Sequence, residues 1–153
     1  MSLEIRRADI SDAKAISFLI MPLVEKYVTH ELSEKAATAF LASISVDGIK
    51  QKLAHDFSYF IALSDNELTG TLGINKDMHI YHLFVSEKHH NKGIARRLLI
   101  TAREAFSTSG IRQPFTVNSS MFARVFYEKM GFSAQSAPQT RNGITTISMK
   151  SHL

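Results

Sequence analysis

Apolar and polar positions alternate or recur along this chain in stretches that each fit one kind of element. Residues 3–7 alternate as a short edge strand, and Asp9, Ser11 or Asp12 can cap a helix whose apolar stripe is Ala15, Ile16, Leu19, Ile20, Leu23, Val24 and Tyr27. Pro22 inside that stripe predicts a kink or break. A helical piece capped by Ser33 follows to about Ile44, and another spans 46–55, set off by Asp47 and Gly48. The loop 29–32 joins the first two pieces.

Residues 57–63 and 67–74 are β-rich runs separated by Ser64, Asp65 and Asn66, the pattern of a hairpin, and a further polar turn at 75–77 leads into a strand over 78–85. After Gly93, positions Ile94, Ala95, Leu98, Leu99, Ala102 and Phe106 recur at helical spacing, with Gly110 as the stop. Residues 115–118 read as a strand. Residues 121–130 read as a short helix with Phe122, Val125, Phe126 and Met130 apolar, ended by Gly131. Closing strands fit 132–135 and 144–150, with Arg141, Asn142 and Gly143 in the turn between. This order predicts one α/β domain over residues 1–153, a single mixed and mainly antiparallel sheet with helices on its faces.

Composition narrows the function. No apolar run is long enough to span a bilayer, and the N-terminus lacks the apolar core of a signal peptide, so the expected compartment is the cytoplasm. The chain has no cysteine, which excludes thiolate metal sites and a cysteine-linked acyl-enzyme. The net charge of +4 is spread along the sequence, so neither a nucleic-acid surface nor a membrane surface is indicated. Lys88, Lys92, Arg96 and Arg97 are the exception, gathering positive charge around one segment.

That segment, HLFVSEKHHNKGIARRLL, runs from His82 to Leu99. A strand that feeds a loop rich in backbone donors and then a helix N-terminus is suited to hold phosphate or pyrophosphate. It lacks both the G-K-[ST] of a P-loop and G-x-G-x-x-G, so neither ATP hydrolysis nor a Rossmann site is supported.

The segment resembles the cofactor motif of the GNAT N-acetyltransferase superfamily, Q/R-x-x-G-x-G/A. His90 stands in the first position, Gly93 is the glycine, Ala95 is the permitted small residue, and Asn91 replaces a common glycine. Downstream, TVNSSMFARVFYEKMGF resembles the second signature, with Ala123, Tyr127, Gly131 and Phe132 in step. The resemblance extends to the IRRADISDAKAI opening and the RNGI turn, and so covers nearly the whole chain.

The resemblance implies a splayed central strand pair that admits acetyl-CoA as co-substrate, with no metal. It implies direct transfer of acetyl to a small-molecule or peptide amine in a ternary complex. A non-catalytic acyl-CoA-binding module is the alternative, and a homodimer is compatible with such folds. The backbone of Leu83, Phe84 and Val85 would bond the pantetheine arm. His90, Asn91, Lys92, Gly93, Ile94, Ala95 and Arg96 would surround the pyrophosphate. Asn118 or Ser120 would stand in for an asparagine that bonds the arm in many members.

Tyr127 is then the expected general acid toward the departing thiolate, or else a half-buried aromatic beside Phe126. His79, six residues before Val85, occupies the position of a carboxylate base in some members, and is either that base or an ordinary strand histidine. His82 has opposite parity unless a β-bulge intervenes. His30 and Glu31 lie where acceptor pockets form, either binding a cationic amine or simply solvated.

Overall fold

The computed structural model describes residues 2–152. Eight strands form one sheet in the order β1-β2-β3-β4-β5-β8-β6, with β7 paired to β8. Strands β1 (Leu3–Arg7), β2 (Phe57–Ser64), β3 (Glu67–Asn75) and β4 (His79–Val85) are antiparallel in succession. Strands β5 (Thr116–Ser120), β6 (Phe132–Ala134), β7 (Gln139–Arg141) and β8 (Ile144–Ser151) form a second antiparallel group. The parallel pair β4–β5 joins the groups, as the expected mixed sheet requires.

Helices cover both faces because each strand alternates its apolar residues between two cores. On one face, Ile94, Leu98, Leu99, Ala102 and Phe106 of α4 (Ile94–Thr108) pack on Phe60, Leu72, Ile80, Val117, Ile147 and Met149. Burying each of the larger of these side chains contributes roughly 1.5–3 kcal/mol. On the other face, α1 (Ala13–Tyr27) and α3 (Val46–Ala54) pack Ile16, Ile20, Val24 and Ile49 on Tyr59 and Ile61. Between them α2 (Glu34–Ser43) begins where the Ser33 hydroxyl accepts from the Ala36 amide at 3.2 Å.

Four expectations about elements are corrected. Pro22 does not break α1, which runs unbroken to Tyr27. The carbonyl that Pro22 leaves without its helical donor belongs to Phe18, a residue on the exposed side of the helix. The helix expected over 121–130 contracts to α5 (Arg124–Lys129). Its apolar stripe differs too, because Phe122 is 98% exposed and Val125 is exposed, while Tyr127 is the buried residue. Strand β7 was expected to be part of a connection, since Gln139, Thr140 and Arg141 are all exposed and carry no alternation.

The turn between β7 and β8 abuts the short 3₁₀ turn Thr29–Glu31 that links α1 to α2. Gly143 sits at φ +86°, and a Cβ there would overlap the main-chain oxygen of Glu31. A hairpin from the end of the chain is thus seated against a loop near its beginning.

Candidate active site

Strands β4 and β5 pair only at His79–Thr116 and Ile80–Val117, and beyond these they separate. The gap opens toward Val85. Ser86 donates its amide to the Thr69 carbonyl at 2.9 Å, which by antiparallel alternation turns the amide and carbonyl of Phe84 toward β3 and those of Leu83 and Val85 toward the gap. This corrects the expectation for Phe84, whose backbone is committed to the sheet. The Val85 carbonyl already accepts from His90 Nε2 at 2.8 Å.

The gap continues into a cleft of about 480 Å³ lined by Leu83, Val85, His90, Gly93, Ala95 and Tyr127 among others. Asn91, Ile94 and Arg96 also line it. Asn91 (φ +62°) and Gly93 (φ +76°) both take left-handed backbone, which bends the loop back over the start of α4. No side chain caps α4. Its first bond runs from the Arg97 amide to the Gly93 carbonyl, so the amides of Ile94, Ala95 and Arg96 have no acceptor within the helix. Nothing lies within 4 Å of where a Gly93 Cβ would stand. The result is an open cradle of donors at the positive end of a 15-residue helix.

Tyr127 reaches this cleft from the α5 side. Its ring is 5% exposed and packs edge-on against Phe126 and Phe132, with centroids 5.2 Å away in each case. Burial pushes the phenol above its ordinary range, so it stays protonated at neutral pH. Its hydroxyl makes no hydrogen bond among the described residues. Tyr127 is therefore fully buried, beyond the half-buried aromatic expected of an amphipathic helix.

The two strand histidines lie on the opposite face. The β3–β4 register shifts between Gly73–His82 and Ile74–Ile80, so Tyr81 is an extra, bulged residue. The bulge restores His82 to the face of His79 and corrects the parity expected of a regular strand. His79 is half-buried, its Nδ1 lies 2.7 Å from Thr116 Oγ1, and its ring meets Tyr81 edge-on at 5.1 Å. Burial lowers its pKa below the ordinary 6.5, leaving a neutral imidazole at pH 7. His82 is buried against Tyr59, whose hydroxyl shares a hydrogen bond with Nδ1 at 2.8 Å, and desolvation, with a smaller contribution from Lys52, pushes it down to about 4.

Several expected contacts fall elsewhere. Lys92 does not line the cleft, and Lys88 pairs with Glu67 at 2.9 Å. Ser120 Oγ accepts from the Ala123 amide at 3.0 Å, fastening the turn into α5. Asn118 points away from the cleft, because Val117 is the inward residue of β5 and its neighbours alternate outward. It lines a separate polar pocket on the other face. Neither His30 nor Glu31 lines either cavity. Three cleft residues escaped the sequence reading, namely His89, Phe122 and Phe126. His89 alone had a signal, an unbroken row of imidazoles at 89 and 90.

Among the described residues, no helix is long and apolar enough to cross a membrane, and no group of His, Asp and Glu is arranged to hold a metal ion. Residues 28–153 match the family model of the acetyltransferase (GNAT) domain. No curated protein matches the chain in sequence. Among solved structures, the PaiA N-acetyltransferase of Thermoplasma acidophilum in complex with coenzyme A superposes with a TM-score of 0.81 at 18% identity, over 99% of each chain. A GCN5-related N-acetyltransferase from Rhodopseudomonas palustris gives 0.80 at 19% identity, over 100% of this chain and 97% of that one. An aminoglycoside acetyltransferase from an uncultured soil metagenomic sample gives 0.68 at 18% identity, over 92% and 98%. At these identities the likeness is one of fold.

Proposed function

Since the chain belongs to the GNAT acetyltransferase family, we propose that it transfers acetyl from acetyl-CoA directly to a primary amine, with both reactants bound together. The observation that carries this reading is the split between β4 and β5, which turns the backbone of Leu83 and Val85 away from any strand partner and runs without interruption to the Gly93 cradle and Tyr127. The solved relative that holds coenzyme A shares this fold along its whole length.

Acetyl-CoA supplies the reacting thioester. The amine lone pair forms the N–C bond at the carbonyl carbon, and the C–S bond breaks as the electron pair leaves on sulfur. In this chain the gap-facing backbone groups of Leu83 and Val85 would hold the pantetheine arm as an added strand, with the Val85 carbonyl exchanging its bond from His90 for one from the arm. The amides of Ile94, Ala95 and Arg96, with the Arg96 guanidinium beside them, would receive the pyrophosphate. Tyr127 would give its proton to the thiolate. The amine enters from the opposite face, where neutral His79 accepts the proton that nitrogen sheds, directly or through water. Holding both reactants in the split supplies proximity and alignment without a covalent intermediate.

Release of free coenzyme A from acetyl-CoA, dependent on an added amine, is the expected result of an acceptor screen. Tight binding of acetyl-CoA without turnover by any amine would leave only a binding module. Replacing Gly93 by valine forces a branched side chain into left-handed backbone and into the open cradle, so coenzyme A affinity is expected to fall by about tenfold or more in a calorimetric titration. Unchanged affinity would move the pyrophosphate elsewhere.

His79 is useful as a base only while neutral. Burial lowers its pKa, so the acid limb of the wild-type pH–rate profile should lie below the pH at which an ordinary imidazole titrates. His79→Ala should lower kcat and remove this acid limb from the pH–rate profile. A variant with the same limb would exclude His79 as the base.

A further inference from the structure

We propose that the acceptor amine carries a negatively charged group, and that Arg141 receives it in the polar pocket behind the strand split. This rests on the acetyl-transfer reading and names the class of acceptor. The pocket, about 340 Å³, is lined by Asn118, Ser136, Gln139, Arg141, Thr146 and Ser148. That size suits a small metabolite.

Its position follows from strand parity. Val117, Ile147 and Met149 face the α4 core, so Asn118, Thr146 and Ser148 face the opposite side, with Asn118 opposite Ser148. Asn118 is also the first β5 residue beyond the last β4–β5 pair, at the mouth of the split. A ligand in this pocket therefore meets the gap from the face opposite Tyr127. That is the approach a direct transfer requires.

The charge of the pocket selects its ligand. All its lining residues are neutral except Arg141, which is exposed and whose guanidinium bonds, among the described residues, to the Gln139 carboxamide at 3.2 Å. Glu128 is the last acidic residue of the chain, so β6, β7, β8 and their connections carry no carboxylate at all. Glu31 meets the β7–β8 turn through its main-chain oxygen, and its side chain is exposed. A polyamine or aminoglycoside would bring several positive charges against an arginine with no counter-charge in the pocket. A carboxylate or phosphate would pair with the guanidinium fork and accept from the surrounding hydroxyls and amides. Gln139 orients that fork without neutralising it.

The test compares matched acceptors: α-amino acids with their amides, an aminoalkyl phosphate with its parent amino alcohol, and a linear polyamine. The anionic member of each pair is expected to show a kcat/KM at least about tenfold higher. Arg141→Gln should remove that advantage through KM, with kcat nearly unchanged and the neutral analogues turned over as before, while Arg141→Lys should keep part of it. Turnover of the neutral analogues also shows that each variant is folded. Equal or better use of amides or polyamine, or an Arg141→Gln variant with unaltered preference, overturns the inference and leaves acetyl transfer standing. Failure of every amine to release coenzyme A overturns both.

Discussion

Replacing Tyr127 by phenylalanine is expected to lower kcat by about 100-fold, the usual scale for loss of a placed general acid, while leaving coenzyme A affinity and stability near wild type. The separation of these effects follows from the surroundings of the side chain. The ring packs against Phe126 and Phe132 and belongs to the α4 core, contacts that phenylalanine preserves. The hydroxyl bonds to nothing among the described residues, so its removal leaves no buried partner unsatisfied. Burial holds the phenol protonated, and the same poorly solvated cleft would raise the basicity of a thiolate forming in it, so an acid role would have Tyr127 release its proton only as the C–S bond breaks. Steady-state kinetics with a calorimetric titration of coenzyme A checks this. A kcat within threefold of wild type would return Tyr127 to the status of a core aromatic.

The loop and helix that form the Gly93 cradle were legible in the sequence because they depend on local features. The helical recurrence from Ile94 to Phe106 needs only a 3.6-residue period, and a glycine at the head of that helix needs only its own left-handed backbone. The opposite face depends on features that no window of sequence contains. Residues 79–85 read as a regular strand whether or not Tyr81 is bulged, and the bulge decides which face His82 occupies. Strand β7 exists because Gln139 and Arg141 pair with Thr146 and Ile144, not because its residues favour a sheet. The family resemblance puts Asn118 or Ser120 on the arm of the cofactor, whereas the alternation of β5 sends Asn118 to the pocket on the opposite face.

The misread α5 has the same origin. Its period placed Phe122 with the apolar positions, yet the chain there forms a turn fastened by Ser120, which leaves the Phe122 ring in solvent at the rim of the cleft. Sequence spacing identified Tyr127 through the second signature, but only the packing of Phe126 and Phe132 around it shows why its ring is buried.

The bulge also makes fold stability depend on pH, and this is the second large effect expected. His82 is buried with its pKa at about 4, whereas in the unfolded chain it titrates near 6.5. Between those values the unfolded chain binds the proton and the folded one does not, so stability is intact above 6.5 and falls as pH drops. The expected loss is about 2 kcal/mol at pH 5 and about 3 kcal/mol at pH 4, measured by urea unfolding at each pH. The carboxylate of Asp12, held below its ordinary range by Arg6, acts in the same direction but only nearer pH 4, so the upper part of the window belongs to the imidazoles. His82→Gln can still accept from Tyr59 but cannot take up a proton, and should flatten most of the slope between pH 6.5 and 5. His79→Ala should remove a smaller part, because that ring is half-buried. A wild-type protein equally stable at pH 7 and pH 5 would mean that His82 can charge without leaving the core. Tyr59 would then have to stabilise the imidazolium by accepting from it, and the face that carries His79 and the polar pocket would keep its shape in acid.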